Sequence, residues 1–398
     1  MAEAVWKALP EGIWPAGAIF TEIRGLFLEV YSKSGVPCWT VSWTGSRAPG
    51  DLIRGGTADS LGAAKIAAIC LPHDWLTWKL TGSKNIHDLT TDRSDASGTG
   101  YFNSLTNEYD REILALALND SVDINSVVLP RVLTPRESAG VTNVEGLETD
   151  IIIGPGAGDN AGAALGLSLQ EGDVVVSLGT SGTAFTSTTV STHDELGYLA
   201  GFANCEGGFL PLVCTLNAAR IFDAGTRILG VNHEEFAQLA MKAEAGSAGL
   251  TLLPYFEGER TPNRPESRGV FDGFSLNNST PENIARAMIE GVALSMVDAV
   301  EELKKRSIPV RRILVIGGAA KNPAVQQIFA SMFGGEIYLP EPNEYVANGA
   351  ARQAAWVISD SETLPEWRAQ VQQITAPDSS HLLQRYLRLK SATDGWSY

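Results

Sequence analysis

The apolar residues of this chain recur at two spacings, one typical of helices and one typical of buried strands. The clearest helical spacing runs from Pro281 to about Arg306, where apolar residues recur every fourth position after the capping residue Thr280. Short apolar runs such as Asp173–Ser177 ("DVVVS") and Ile313–Ile316 predict buried strands instead. Strands and helices therefore alternate along the chain, which is typical of an α/β protein.

The same two patterns predict the remaining elements. Helices are predicted at Ala64–Leu80, Glu108–Leu118, Asp159–Leu169, 215–229, 234–244, Pro323–Met332 and 345–357. Strands are predicted at Leu26–Tyr31, Cys38–Trp43, Ile151–Ile153 (buried), Phe209–Cys214 and Ile337–Leu339. Residues 1–63 are rich in Trp, Gly and Pro and show little of either period, so they are atypical. We predict two domains, one over residues 1–170 and the other over 171–398.

Composition and charge narrow the functional classes. The 398 residues are 44% hydrophobic, which is enough for large cores in two domains. A formal net charge of −16 argues against a nucleic-acid surface, so an anionic ligand would have to be held locally. No apolar run approaches the roughly 20 residues of a membrane helix, and no leader pattern opens the chain. We therefore expect a cytoplasmic protein with neither nucleic-acid nor membrane partners.

Cysteine and histidine spacing argues against a disulfide framework and against a zinc site. Cys38, Cys70, Cys205 and Cys214 form no Cys-x-x-Cys pair, so we expect free thiols in a reducing compartment. The five histidines are scattered, and no pair has metal-ligand spacing.

The stretch "IIIGPGAGDNAGAALG" (Ile151–Gly166) reads as a strand, a glycine turn and an alanine-rich helix. Gly156–Ala161 matches the G-x-G-x-x-A pattern of a dinucleotide-binding turn. That pattern also needs an acidic residue about 20 positions later, where this chain has Ser177–Gly179. Asp159 would moreover oppose a pyrophosphate at the helix N-terminus. The dinucleotide hypothesis is disfavoured, which leaves Asp159 either as a carboxylate that accepts a substrate proton or as an ordinary helix cap.

Two further glycine turns could hold a nucleotide. In "SLGTSGT" (Ser177–Thr183), N–H groups and hydroxyls could converge on phosphate oxygens, or the turn could be a plain β-hairpin. In "ILVIGGAAKN" (Ile313–Asn322), Gly317 and Gly318 would let a flat ring or a ribose approach the main chain, while Asn322 caps the next helix. The charged loop Pro254–Gly273 has a length typical of functional loops.

Taken together, these segments resemble the FGGY family of carbohydrate kinases, most closely its xylulokinase branch. The resemblance spans about residues 64–398 and is specific as an ordered set. The matching segments are "ICLPHDWLTWKLTG" (Ile69–Gly82), "TDRSDASGTGYF" (Thr91–Phe102), "GAGDNAGAALG" (Gly156–Gly166), "SLGTSGTAF" (Ser177–Phe185), "PYFEGERTPNRP" (Pro254–Pro265), "IGGAAKNPAVQQIFA" (Ile316–Ala330) and "EYVANGAARQAAW" (Glu344–Trp356).

The resemblance implies two actin-like, ribonuclease-H-type α/β domains flanking a cleft, with the first domain N-terminally incomplete. It implies that Asp159 is the general base, that Gly179 and Thr180 contact the β- and γ-phosphates, and that Gly317, Gly318 and Asn322 line the adenosine site. The expected reaction is phosphoryl transfer from ATP, with Mg²⁺, to a small-molecule sugar, D-xylulose. The metal ligands are not assigned, and a homodimer is compatible with the resemblance.

The family begins with a strand, an Asp-x-Gly-Thr-Ser phosphate loop and a lysine. None of these is recognisable in residues 1–63, and we expect no Asp-x-Gly-Thr motif elsewhere in the chain. Slow turnover is therefore expected, because that loop supplies half of the phosphate clamp. Two alternatives remain. One is a family remnant that binds nucleotide or sugar without efficient turnover. The other is an NAD-dependent oxidoreductase, which only the G-x-G-x-x-A match favours.

Overall fold

A computed structural model describes residues 67–118, 123–367 and 369–396 with their side chains, and the backbone of five strands before residue 58. Contacts divide the chain into two compact units. The first contains the chain up to Thr91, Tyr109–Val132 and Ala139–Ile153, and the second contains Asp92–Glu108, Leu133–Ser138 and Gly154 onward. The predicted domains, 1–170 and 171–398, stay a prediction.

The first unit begins with a five-stranded antiparallel sheet in which each strand pairs with the next along the chain. Its strands are β1 (Lys7–Ala8), β2 (Ile19–Ile23), β3 (Leu26–Lys33), β4 (Val36–Trp43) and β5 (Leu52–Thr57). Strands β3 and β4 contain the two strands predicted at Leu26–Tyr31 and Cys38–Trp43. Those two predictions are confirmed, and each strand is longer at one end than its apolar run.

Two predictions in the first unit are corrected. The helix predicted at Ala64–Leu80 is α1, Pro72–Leu80, while Ala68 forms a β-bridge with Val128. Pro72 explains the late start, because proline suits the first helical turn and disfavours helical geometry in the residue before it. The predicted buried strand is β11, Ile152–Ile153, and its Ile152 side chain is exposed. Among the described residues, its pairing partner is the short β10 strand, Gly140–Val141.

The second unit is built on a seven-stranded mixed sheet. Its spatial order is β14 (Ala200–Ala203), β15 (Phe209–Thr215), β13 (Gly182–Phe185), β12 (Asp173–Leu178), β18 (Arg312–Ile316), β19 (Glu336–Pro340) and β20 (Val371–Thr375). Strands β12, β18 and β19 are parallel to one another, and the other pairs are antiparallel. Val174, Val175 and Val176 are completely buried, so both faces of the central strand are covered, as its unbroken apolar run predicts.

Helix α7 (Pro281–Lys305) is the longest helix of the second unit and lies in its core. Thr280 caps it by accepting the Asn283 N–H at 3.3 Å, and Pro281 occupies the first turn, as predicted. The apolar stripe that includes Met288, Val292 and Met296 is buried against the sheet. The predicted stripe therefore faces the core.

The other elements lie near their predicted positions. The remaining helices are α2 (Arg93–Ala96), α3 (Arg111–Leu118), α4 (Asp159–Gly166), α5 (Ala219–Leu229), α6 (His233–Lys242), α8 (Pro323–Met332), α9 (Tyr345–Ile358) and α10 (Leu383–Ala392). The remaining strands are β6 (Thr90–Asp92), β7 (Phe102–Asn103), β8 (Glu108–Tyr109), β9 (Arg131–Leu133), β16 (Thr251–Leu253) and β17 (Val270–Asp272). Among the described residues, no helix is long and apolar enough to cross a membrane.

Candidate active site

The Gly179–Thr180 turn joins β12 to β13 as a hairpin, so the plain-hairpin alternative describes its topology. The Gly179 and Thr180 carbonyls accept N–H groups from Ala219 and Ala218 at 3.0 and 3.2 Å. Both turn residues are exposed. Within residues 67–118, 123–367 and 369–396, the Thr180 N–H donates to no protein acceptor. An exposed N–H group of this kind is available to an anionic ligand.

The charged loop 254–273 contributes a buried glutamate, Glu259, that holds the segment beside this turn. Glu259 accepts the Leu216 and Arg260 backbone N–H groups at 2.7 and 2.8 Å and the Asn217 side-chain amide at 3.2 Å. These contacts hold the segment that leads to the start of α5, which bonds the Gly179–Thr180 turn. Burial raises the pKa of Glu259, against the lowering effect of these hydrogen bonds. The loop thus has a structural role beside the turn.

Gly317 and Gly318 directly follow strand β18 and have different structural roles. Gly317 has a φ of +100°, and a Cβ there would lie 2.5 Å from the Leu178 carbonyl oxygen. Glycine is therefore required where β18 passes β12. Gly318 is exposed, and a Cβ there would meet nothing within 4 Å. Asn322 caps α8 by accepting the Ala324 N–H at 2.9 Å, as its structural interpretation predicts.

A cavity of about 420 Å³ opens at the carboxyl ends of β12 and β18. It brings Gly179, Thr180, Gly318 and Asn322 together, whereas Gly317 lies beside it and is not among its lining residues. Apolar side chains supply most of the remaining wall, namely Leu178, Phe222, Phe236, Ile289 and Val325. The size and lining suit a small organic ligand, and the ends of parallel strands are where open α/β sheets bind ligands.

Sequence reasoning missed two polar residues of this cavity. Asp223 from α5 and His233 from α6 both line it, and the His233 Nε2 lies 3.2 Å from Asp223 Oδ1. They stand on different helices, so no local motif joins them. Asp223–Thr226 also spells Asp-x-Gly-Thr, contrary to the expectation that no such run exists. It lies inside helix α5 and therefore forms no strand-to-turn phosphate loop.

Asp159 is the first residue of helix α4 and is exposed. Gly158 occupies the cap position and makes no side-chain cap, so Asp159 stands beside the cap and does not itself form it. Its Oδ1 accepts both the backbone and the side-chain N–H of Asn160, at 2.7 and 2.8 Å. Its Oδ2 accepts no hydrogen bond from the part of the chain that the structure describes. One carboxylate oxygen is thus held while the other is available.

The glycines of α4 face another helix. A Cβ on Gly349 of α9 would overlap with the Gly162 carbonyl oxygen. A Cβ on Gly166 would overlap with the Tyr345 carbonyl oxygen. The two helices therefore pack backbone against backbone, which explains the small residues of both segments. This packing accounts for Gly162 and Gly166, whereas the G-x-G-x-x-A match lies just before them at Gly156–Ala161.

No metal-ligand cluster is present among the described residues, where no three His, Cys, Asp or Glu side chains converge. Cys205 and Cys214 are free thiols there, and Cys38 lies outside the residues whose side chains are described. Nothing in this part of the chain therefore assigns metal ligands.

Comparison with known proteins decides the family. Residues 58–166 match the model for the N-terminal domain of the FGGY family of carbohydrate kinases, and residues 174–358 match the model for its C-terminal domain. The chain is also 33% identical over 351 residues to xylulose kinase from Haemophilus influenzae, which covers 86% of this chain and 69% of that protein. The chain belongs to the FGGY family of carbohydrate kinases. The predicted family is confirmed.

Other FGGY kinases support the same assignment. Xylulose kinase from Streptomyces coelicolor is 40% identical over 304 residues, which are 75% of this chain and 59% of that protein. The solved xylulose kinase from Bifidobacterium adolescentis is similar with a TM-score of 0.76 and 42% identity, covering 81% of this chain and 68% of that one. The predicted two-domain, actin-like α/β fold of this family is confirmed. The present FGGY chain spans under two thirds of the length of the Streptomyces relative.

Proposed function

We propose that this protein phosphorylates a ketose sugar with ATP, converting D-xylulose to D-xylulose 5-phosphate. The relatives from Streptomyces, Haemophilus and Bifidobacterium are all xylulose kinases. No comparison specifically favours the alternative of a remnant without efficient turnover. The NAD-dependent alternative has only the G-x-G-x-x-A match, which lacks the acidic residue needed about 20 positions later.

The cavity at the ends of β12 and β18 is the main structural support for this proposal. A purine ring would lie against its apolar wall, which includes Phe222, Phe236 and Ile289. The ribose would approach Gly318, where the main chain is open. The phosphates would then reach the Gly179–Thr180 turn and its exposed Thr180 N–H. One ATP molecule would therefore contact Gly179, Thr180 and Gly318 together.

Asp159 supplies the chemistry at the sugar. Asn160 holds Oδ1, so Oδ2 is the oxygen that would accept the sugar hydroxyl proton. The hydroxyl oxygen then forms a bond to the γ-phosphorus as the bond from that phosphorus to the β–γ bridging oxygen breaks, and ADP leaves. The exposed position at a helix N-terminus suits a carboxylate that must remain ionised to act.

Magnesium is implied by phosphoryl transfer and would neutralise charge on the β- and γ-phosphates. The described residues converge in no set of three candidate ligands, so we assign it no protein ligand. Mg²⁺ in such sites keeps several waters and often takes only one or two carboxylates. No step above depends on its position.

An ADP-release assay with ATP, Mg²⁺ and either D-xylulose, D-ribulose or no sugar tests the proposal. We expect release that depends on D-xylulose and is weaker with its C3 epimer D-ribulose. Equal release with and without sugar would identify an ATPase and contradict the proposal. Gly318→Asp puts bulk and negative charge into the cavity, so it should abolish ATP binding in equilibrium dialysis. Ala351→Asp, on an exposed residue of α9 outside that cavity, is the control.

A further inference from the structure

A buried serine from "TDRSDAS" holds the turn that presents Asp159. Ser94 lies in the short helix α2 and is 2% exposed. Its Oγ accepts the backbone N–H of Gly158 at 2.9 Å. Gly158 is the residue immediately before Asp159 and caps α4. The link joins two segments that are 64 residues apart in the sequence.

The Ser94 hydroxyl is itself fixed by a buried carboxylate. Its O–H donates to Asp92 Oδ2 at 2.5 Å, and the same oxygen accepts the Ser94 backbone N–H at 2.7 Å. Asp92 is 3% exposed and also accepts the Asp95 N–H at 3.1 Å, which caps α2. Because Asp92 accepts the hydroxyl proton, the Ser94 oxygen presents its lone pairs to Gly158. Hydrogen-bond donation therefore runs from the Gly158 N–H to the Ser94 hydroxyl and from that hydroxyl to Asp92.

The turn packs against α2 at ordinary van der Waals distance. A Cβ on Gly158 would lie 3.4 Å from both the Cα and the N of Asp95. Cys205 Sγ lies 3.5 Å from the Ser94 hydroxyl and fills the space behind it. Arg93 anchors the same helix by bonds to the Gly208 and Ser104 carbonyls at 3.2 and 3.0 Å. Arg93 thus holds α2 in place, and Ser94 of the same helix accepts the hydrogen bond from the turn.

We propose that Ser94 is a positioning residue that, backed by Asp92, fixes the Gly158 amide and thereby aims the Asp159 carboxylate at the sugar hydroxyl. Ser94 does not touch the reacting atoms in this account. It orients the first peptide of α4, so its loss would let the Asp159 carboxylate swing. A misplacement of about 1 Å at a reacting group can cost roughly 10²-fold in rate. This role in catalysis rests on the proposed kinase function, whereas the anchoring of Gly158 does not.

Ser97 offers a matched control in the same segment. Its hydroxyl also makes two hydrogen bonds, donating to the Arg93 carbonyl at 2.8 Å and accepting the Ala203 N–H at 2.9 Å. Neither bond reaches α4. Ser94→Ala and Ser97→Ala therefore remove the same group, and only Ser94→Ala releases the turn.

Hydrogen–deuterium exchange of the peptide that contains Gly156–Asn160 tests the anchoring without any turnover. We expect Ser94→Ala to speed exchange there by about tenfold or more, a factor that corresponds to about 1.4 kcal/mol. Ser97→Ala should leave that peptide unchanged and affect the peptide that contains Ala203. Unchanged exchange at Gly156–Asn160 in Ser94→Ala would overturn the proposal. If Ser94→Ala does not fold, Ser94→Cys preserves the volume with a weaker hydrogen-bonding group and decides in the same way.

Kinetics with D-xylulose tests the catalytic consequence. We expect Ser94→Ala to lower kcat by about 10–100-fold while the KM for ATP stays within about twofold, because the cavity is not altered. Ser94→Thr, which keeps the hydroxyl, should recover most of the rate. An equal loss in Ser97→Ala, or an unchanged kcat in a Ser94→Ala protein whose turn exchanges faster, would overturn it. If the wild-type protein shows no sugar-dependent turnover, the proposed function fails while the exchange experiment still decides the anchoring.

Discussion

The neighbouring glycines Gly317 and Gly318 should respond in opposite ways to the same methyl group. Gly317 has φ +100°, a conformation that costs a residue with a side chain about 1–3 kcal/mol. Its new Cβ would also lie 2.5, 2.7 and 2.9 Å from the O, C and N atoms of Leu178. Forcing those backbones apart adds a further cost of about 1–3 kcal/mol. We therefore expect Gly317→Ala to lower the free energy of unfolding by about 2–6 kcal/mol.

Gly318→Ala is the control, because Gly318 has helical angles of φ −61° and ψ −43° and open space around its Cβ position. Alanine at such a site changes stability little or raises it by about 0.4–1 kcal/mol. Differential scanning calorimetry should show Gly317→Ala melting about 4–24 °C below the wild type, at roughly 2–4 °C per kcal/mol. Gly318→Ala should melt within a few degrees. Equal melting temperatures for the two variants would refute the assignment of Gly317 as the conformationally required glycine.

Three further substitutions probe the frame around the site. Arg312→Ala should destabilise the protein by about 3–5 kcal/mol, measured by urea unfolding. The reason is that the buried Asp173 carboxylate loses the two hydrogen bonds of 2.7 and 2.6 Å that Arg312 donates to it. Adding Asp173→Asn to Arg312→Ala should recover part of that loss. Burial raises the pKa of Glu302, but bonds from Lys305 and Arg306 outweigh it and lower the pKa, so Glu302→Gln should cost about 1–3 kcal/mol at pH 7 and progressively less as the pH falls below about 4. A Glu302→Gln penalty that grows on acidification would contradict that sign. Gly349→Ala should loosen α4 from α9 and lower the melting temperature, whereas Ala351→Gly, at an exposed site on the same helix, should cost only about 0.5–1 kcal/mol.

The sequence was informative where one local rule decides the structure. Thr280 and Pro281 begin α7 as a cap and a first-turn proline should, and the valines of β12 are buried as an unbroken apolar run should be. Asp159 and the two glycine turns could likewise be singled out from the sequence, because each interrupts such a pattern. Their local context left two interpretations open in each case. Asn322 caps α8 and lines the cavity, and its role at the adenosine site stays a prediction.

What the sequence could not predict depends on distant partners. Asp223 and His233 meet only because α5 and α6 fold together, and Ser94 reaches Gly158 only through the packing of α2. The exposure of Ile152 depends on what covers its strand, which an apolar pattern cannot report. Gly317 and Gly318 look alike in the sequence, and only the path of β12 beside them separates their roles.

The most direct test of the proposed function is the transfer of phosphate by the wild-type protein and by Asp159→Asn. Asparagine preserves the size of the side chain and removes the proton acceptor, and Asp272→Asn changes an exposed acid of β17 in the same way. Phosphorus NMR of reactions with ATP, Mg²⁺ and D-xylulose should show D-xylulose 5-phosphate forming with ADP. The rate should fall by about 10²–10⁴-fold in Asp159→Asn and stay unchanged in Asp272→Asn. Sugar phosphate formed at the wild-type rate by Asp159→Asn, or no sugar phosphate from the wild type, would contradict the assignment.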